Sequence, residues 1–281
     1  MRRRAFLGSV GLAALAGCST GNDTTATPTS TPTSTPPGGG SPAFELIGVQ
    51  SPESLALNVP GQFRIGVKNT GSGKGTFTTP LESKYGEGEW KKSGTIEMPL
   101  SPGETGEWRS PSFTGQYLTP FHFRLPEFDR TWTVEVTPKE LDFGKQYASP
   151  NGFILNVLGG SFESTYPTSG NETATNETTP TPTSPGDGET WAVMQLEVRN
   201  RLQEAQTTPD PSTFVLTVNG EQRPQHQEVS DDPYDGSELA GRTIRRDDLV
   251  YAVPEGTQAR DLTLTWEASL SGGDVKAIWS K

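Results

Sequence analysis

Apolar residues in this chain recur at every second position in short runs, the period of a half-buried strand rather than of a helix. Phe63-Arg64-Ile65-Gly66-Val67-Lys68-Asn69 is the clearest run and puts Phe63, Ile65 and Val67 on one face. Residues 130–136 repeat the pattern with Trp132, Val134 and Val136. Shorter candidates lie around Phe44, Leu46 and Val49, at 76–79, at 90–98, at Trp108 and at 121–125, and the set ends near Pro138. A second set follows at 153–158, 191–200, 214–218, 249–253, 262–266 and 275–279. Turn signals sit between the runs: Thr70-Gly71-Ser72-Gly73, and Asn219-Gly220, the pair favoured in two-residue hairpins because both positions take positive φ. Regular short strands with turns between them predict an all-β chain of two β-sandwiches, residues 43–138 and 139–281.

Two stretches lack the period. Residues 18–42 include a Thr/Pro run, Thr27 to Pro37, followed by Gly38-Gly39-Gly40, with nothing apolar to bury against the entropy of ordering, and predict a disordered stalk. Proline biases such a stalk toward polyproline II, about 3.1 Å per residue. Residues 163–189 repeat this composition. They read either as a loop inside the second sandwich or as the interdomain linker. A long unstructured loop within a domain is uncommon, yet residues 139–160 supply strand-like sequence that the first sandwich does not need, and this favours the insertion. Asn22, Asn171 and Asn176 each begin an Asn-x-Thr sequon and are glycosylation candidates.

The N-terminus resembles an export signal. Arg3-Arg4-Ala5-Phe6-Leu7 is similar to the twin-arginine pattern, the apolar run behind it is too short to span a bilayer, and Leu15-Ala16-Gly17-Cys18 resembles a lipobox. The resemblance implies that residues 1–17 are removed and that Cys18 takes up a diacylglycerol. Val67-Lys68-Asn69-Thr70-Gly71 followed by Leu100-Ser101-Pro102-Gly103-Glu104 resembles the signature of cell-adhesion-related immunoglobulin-like domains in prokaryotic surface proteins. The second region, a long strand ending in Val198-Arg199-Asn200 and then Val250-Tyr251-Ala252-Val253-Pro254-Glu255-Gly256 and Leu262-Thr263-Leu264-Thr265-Trp266, resembles telokin-like immunoglobulin-type domains of lipoproteins. Both imply immunoglobulin-like sandwiches. In the second, Arg245-Arg246-Asp247-Asp248 stands where a Pro-Gly-Glu turn is usual.

Composition narrows the setting. The chain of 281 residues carries a formal charge of −11, and loss of the leader would remove Arg2, Arg3 and Arg4 as well. Such a surface repels nucleic acid and anionic lipid, so no nucleic-acid partner is expected. The carboxylates are spread rather than blocked, and with the leader this resembles secreted lipoproteins of halophilic archaea. Cys18 is the only cysteine, which leaves no disulfide within the chain.

Candidate chemistry is sparse. Hydrolysis by a serine or cysteine needs a histidine base, and there are two histidines, His122 alternating within a strand and His226 in a Gln-rich loop. Residues 70–76 invite a phosphate-loop reading, but Lys68 and Gly75 stand where glycine and a hydroxyl residue belong. A blue-copper site needs two His and a Cys, and with Cys18 taken by lipid, Met98 and Met194 lie in strands with no His or Cys pair to join. Asp231, Asp232 and Asp235 form the one acidic loop that suits calcium, although Pro233 and Arg242 break an EF-hand register. The expectation is a protein with no cofactor and no catalytic role. It is expected to be lipid-anchored on the extracellular face of the membrane and to engage a protein or glycan partner in the envelope. The alternative is an accessory ligand-binding subunit of a transporter or sensor.

Overall fold

A computed structural model describes residues 39–166 and 184–281. The leader, Cys18, Asn22, the stalk up to residue 38, and Asn171 and Asn176 lie outside the described residues. β1 (Phe44–Gln50) opens the first sandwich and is followed by β2 (Ser54–Ala56) and β3 (Pro60–Gly61). In β4 (Arg64–Asn69) Ile65 and Val67 are fully buried and Arg64 faces water, the alternation its sequence predicts. β5 (Gly75–Tyr85) and β6 (Lys91–Leu100) form a long hairpin, and β7 (Thr105–Arg109), β8 (Phe113–Thr114), β9 (Phe121–Leu125) and β10 (Arg130–Thr137) complete the unit. One sheet runs β1-β4-β7 and the other β2-β10-β9-β5-β6, with β3 and β8 paired to the side. Phe63 fills the space between them, its ring 4.8 Å from Phe123, 5.0 Å from Trp132 and 6.0 Å from Trp108. Aromatic rings at these spacings add edge-to-face attraction to the burial itself.

The second sandwich contains β11 (Lys139–Asp142), β12 (Gln146–Ala148), β13 (Phe153–Glu163), β14 (Glu189–Asn200), β15 (Gln206–Thr207), β16 (Phe214–Val218), β17 (Glu221–Arg223), β18 (Glu238–Leu239), β19 (Ile244–Pro254), β20 (Leu262–Leu270) and β21 (Gly273–Ser280). Its sheets are β12-β13-β14-β19 and β11-β21-β20-β16-β17, with β15 and β18 paired alone. Strand for strand, β13-β14-β19 matches β1-β4-β7, and β11-β21-β20-β16-β17 matches β2-β10-β9-β5-β6. Both units therefore share one immunoglobulin-like plan, including an N-terminal strand parallel to the last strand: β2 beside β10 and β11 beside β21. Asn219 and Gly220, at φ 51° and 85°, make the hairpin turn between β16 and β17.

β13 and β14 are antiparallel partners from Phe153 opposite Asn200 to Glu163 opposite Trp191. The residues between Glu163 and Glu189 thus join neighbouring strands of one sheet. β14 is buried along its core face and, on its outer face, at Trp191 and Glu197. Ala192, Met194, Leu196 and Val198 face the main core, while Trp191 packs outward with Val229, Val250 and Ala252 under Tyr166.

Each sandwich is tied at one corner by an asparagine. Asn69, fully buried at the end of β4, donates through Nδ2 to the carbonyls of Gly73 (2.8 Å) and Leu100 (3.1 Å) and accepts at Oδ1 from Gly71 N–H (3.0 Å) and Ala43 N–H (3.2 Å). Asn200 at the end of β14 donates to Glu204 O (2.8 Å) and Leu239 O (3.0 Å) and accepts from Leu202 N–H (2.9 Å). The offsets match: a carbonyl four residues on, an amide two residues on, and a carbonyl ahead of the next strand of the same sheet. In the first unit that strand is entered by the turn Ser101-Pro102-Gly103-Glu104, with Gly103 at φ 76° and Glu104 N–H on Ser101 O. In the second the equivalent turn is Ala240-Gly241-Arg242-Thr243, with Arg242 at φ 63°. Arg245-Arg246-Asp247-Asp248 is therefore not a substitute for a turn, because those residues already lie inside β19.

Residues Gly40–Lys281 form one compact unit. Leu118 N–H donates to Asp274 O at 2.8 Å and Asn58 Nδ2 to Ala148 O at 2.8 Å, both from the first sandwich to the second.

Candidate functional site

A groove of about 630 Å³ opens on the flank of the second sandwich, between the β16–β17 hairpin and the loops at 208–213 and 225–236. Its floor includes Phe214 and Tyr251, and Tyr251 is fully buried with its hydroxyl donating to Phe214 O at 3.1 Å. The charged residues on its walls are engaged with neighbours. Asp210 accepts from Ser212 Oγ (2.6 Å) and Ser212 N–H (2.8 Å), which hold its carboxyl below the ordinary carboxylate range. Glu228 is also held low, by its own backbone N–H and then by His226, whose Nδ1 lies 3.0 Å from its Oε1. Arg223 pairs with Glu221 at 3.1 Å. This lining suits a ligand rich in hydrogen-bonding groups.

The two histidines lie apart, each with its own partner. His226 stands edge-on to Trp191 at 5.2 Å and meets Glu228, and His122, on the outer face of the five-stranded sheet, lies 2.9 Å from Thr133 Oγ1. Neither ring is hydrogen-bonded to a serine or cysteine among the described residues.

The loop carrying Asp231, Asp232 and Asp235 is organised around Tyr234. That ring is fully buried, edge-to-face with Phe214 at 5.5 Å, and its hydroxyl donates to Pro209 O at 2.6 Å, so burial pushes the phenol well above its ordinary pKa. Asp235 turns to Ser237 N–H (2.9 Å) and to the Arg245 guanidinium (3.2 Å). Asp232 is used through its backbone, which accepts from Asp248 N–H at 2.8 Å. Among the described residues no three His, Cys, Asp or Glu side chains are arranged to hold a metal ion. The acidic loop is thus laced onto β19, and its three candidates are not brought together as ligands.

The residues that lace it escaped the sequence reading. In β19, Arg245 and Asp247 point to one side, and Arg246 and Asp248 to the other. Arg245 reaches Asp247 at 2.6 Å, and burial raises the Asp247 carboxyl although the guanidinium opposes the shift. Arg246 pairs with the buried Glu197 at 2.7 Å. Asp248 accepts from Tyr166 Oη (2.7 Å) and Ser230 Oγ (3.1 Å), which pins the chain where it leaves β13. A two-residue alternation of charge was the available signal, masked because both faces of this strand are polar there.

Two further clefts flank the junction of the sandwiches. One, of about 320 Å³, is lined by Tyr85, Phe121, residues 114–117, Thr119 and Gly272. The other, of about 370 Å³, lies between Asn58, Gln116 and the second-sandwich residues Ser149, Arg201 and Arg242.

No known protein family matches the chain. No curated protein matches it either. Solved structures do. An uncharacterized β-sandwich protein from Clostridium difficile is 12% identical, covers 51% of this chain and 94% of its own, and superposes with a TM-score of 0.35. A secreted protein from Mycobacterium tuberculosis is 13% identical over 52% of this chain and 98% of its own, with a TM-score of 0.33. A provisionally assigned lipoprotein from Bacillus subtilis is 13% identical over 50% of this chain and 39% of its own, with a TM-score of 0.34. Among the described residues no helix is long and apolar enough to cross a membrane.

Proposed function

We propose that the chain is a non-catalytic protein of the outer face of the cell membrane, exported by the twin-arginine route and anchored through a lipid on Cys18. It holds two immunoglobulin-like sandwiches in series for adhesion or envelope scaffolding, with a protein or glycan as partner. The observation that carries this reading is the direction of the strands. Ala43, Asn69, Gly75 and Leu100 meet at one end of the first sandwich, and Thr137 leaves from the opposite end. Lys139 enters the second sandwich there, opposite Ala277 of β21, the strand that leaves the Gly272–Gly273 turn covered by Tyr117. The register of β16, β20 and β21 then sets the Asn219-Gly220 turn at the far end, as β13 and β14 do for Glu163 and Glu189. A chain built this way keeps its N-terminal entry and its far turns at opposite ends. The acidic surface fits a high-salt exterior.

The test is an epitope inserted between Asn219 and Gly220. Intact cells should bind the antibody, and Cys18→Ser should release the protein from the membrane or block its maturation, since firm attachment takes two acyl chains. An epitope reached only after lysis, or a Ser variant that fractionates with membranes at the parent mass, counts against the reading. The alternative, an accessory ligand-binding subunit of a transporter or sensor, is favoured by the groove of about 630 Å³.

A further inference from the structure

We infer that the 320 Å³ cleft at the junction of the two sandwiches binds a neutral saccharide unit. Small-molecule sites occur preferentially at boundaries between domains and run from about 300 to 1,000 Å³, so this cleft suits one or two sugar rings at most.

Three features specify the chemistry. The first is Tyr85, whose ring is 61% exposed at the end of β5 and braced edge-to-face on Phe121 at 4.9 Å. A side chain this open contributes little to the core, and beyond its edge-to-face contact with Phe121 most of it is left to the cleft and to solvent. Aromatic faces carry the negative end of a quadrupole and attract polarised C–H groups, which a pyranose presents on its apolar side. The second is the set of polar tips: Thr114, Gln116, Tyr117 and Thr119 line the cleft with hydroxyls and an amide. Such groups both donate and accept, as a rim of sugar hydroxyls requires. The third is charge. No lining residue is ionisable near neutral pH in a chain whose net charge is −11, so an anion would find no cation there and a cation no carboxylate. A purely apolar ligand would strip water from the hydroxyls and return no hydrogen bond.

The second sandwich completes the wall. Tyr117 lies across Gly272, and a methyl group there would come within 2.4 Å of Tyr117 Cζ. Leu118 N–H on Asp274 O and the Tyr117 carbonyl accepting from Thr119 N–H (2.7 Å) fix the loop that carries the ring. A proline-rich peptide is the other neutral, aromatic-seeking class, but polyproline II needs an extended track at about 3.1 Å per residue, and the cleft is compact.

This gives the glycan partner of the preceding reading a place and a chemistry, and it rests on that reading only for the partner's class. The experiment uses the full chain in detergent, titrated by calorimetry and saturation-transfer NMR with methyl glycosides of neutral hexoses and N-acetylhexosamines, with a methyl glucuronide and with a Pro-Thr repeat peptide. A neutral glycoside should bind with Kd on the order of 1 mM, the range open to so small a ligand. Tyr85→Ala should weaken it about tenfold, and Gln116→Ala should weaken it less. Both side chains are exposed, so an unchanged melting curve confirms that the variants fold. The inference is overturned if no neutral glycoside binds, if the glucuronide or the peptide binds more tightly, or if both variants bind as the parent does. None of these results touches the attachment of Cys18, and detachment of Cys18→Ser leaves the sugar titration unaffected.

Discussion

Asn69 and Asn200 show how one side chain can set the corner of a sheet. Each sits beyond the reach of water and answers backbone groups that the end of a strand leaves open, and removing such a partner costs about 1–3 kcal/mol per orphaned buried group. The turns beside Asn69 were legible, Asn-Thr-Gly at the end of its strand and Pro-Gly-Glu ahead of the next, but the bonds its buried side chain makes were not. The counterpart in the second sandwich was half legible. Val198-Arg199-Asn200 was readable, but its turn uses Arg242 where Gly103 stands, and nothing marks an arginine as left-handed in advance. A side chain at φ 63° is strained by about 1 kcal/mol relative to glycine, offset in part by the entropy glycine adds to the unfolded chain. Arg242→Gly should therefore raise the urea midpoint, by about 0.5–1 kcal/mol in stability. An unchanged or lower midpoint would mean that the Arg242 side chain contributes more than the strain it carries.

At the scale of elements, the legible strands were those buried on one face. β4, β10 and β16 alternate because each has a core side and a wet side, and the period is written in their residues. The two- and three-residue strands β2, β3, β8, β12, β15, β17 and β18 are too short to carry any period. β19 was read only from Leu249 because its first five residues face polar surroundings on both sides. The groove was not legible at all, since its walls come from separate stretches between Asp210 and Tyr251 that only the β16, β17 and β19 pairings bring together. The long pairing of β13 with β14 has a direct consequence. If a protease site is introduced within residues 167–183 and cut, the two pieces should still co-elute on size exclusion, because β13, β14 and the β11–β21 pair hold them. Separation without denaturant would show that those pairings are too weak to join the halves.

For the whole molecule, buried phenols govern the alkaline limit. Tyr147, with its hydroxyl buried and unpartnered, is pushed by burial from an ordinary 10 up to about 12, and Tyr234 and Tyr251 shift the same way for the same cause. Because the folded pKa lies above the unfolded one, the stabilising difference is complete below pH 10 and is lost as pH climbs through about 12. The melting temperature should fall steeply over that window, and Tyr147→Phe should make the fall shallower. A melting temperature that stays level from pH 9 to 12 would contradict the assignment. The parallel placement of β2 beside β10 and of β11 beside β21 bears on a different kind of stress. Each sandwich receives the chain at one end and returns its last strand toward the other, so a pull along the axis slides these strands lengthwise past their partners. Their hydrogen bonds lie across that direction and share the strain at once, whereas a hairpin pulled open from its ends gives up one bond at a time. Drawn from its two ends, the chain should resist as a sheared seam does and yield abruptly.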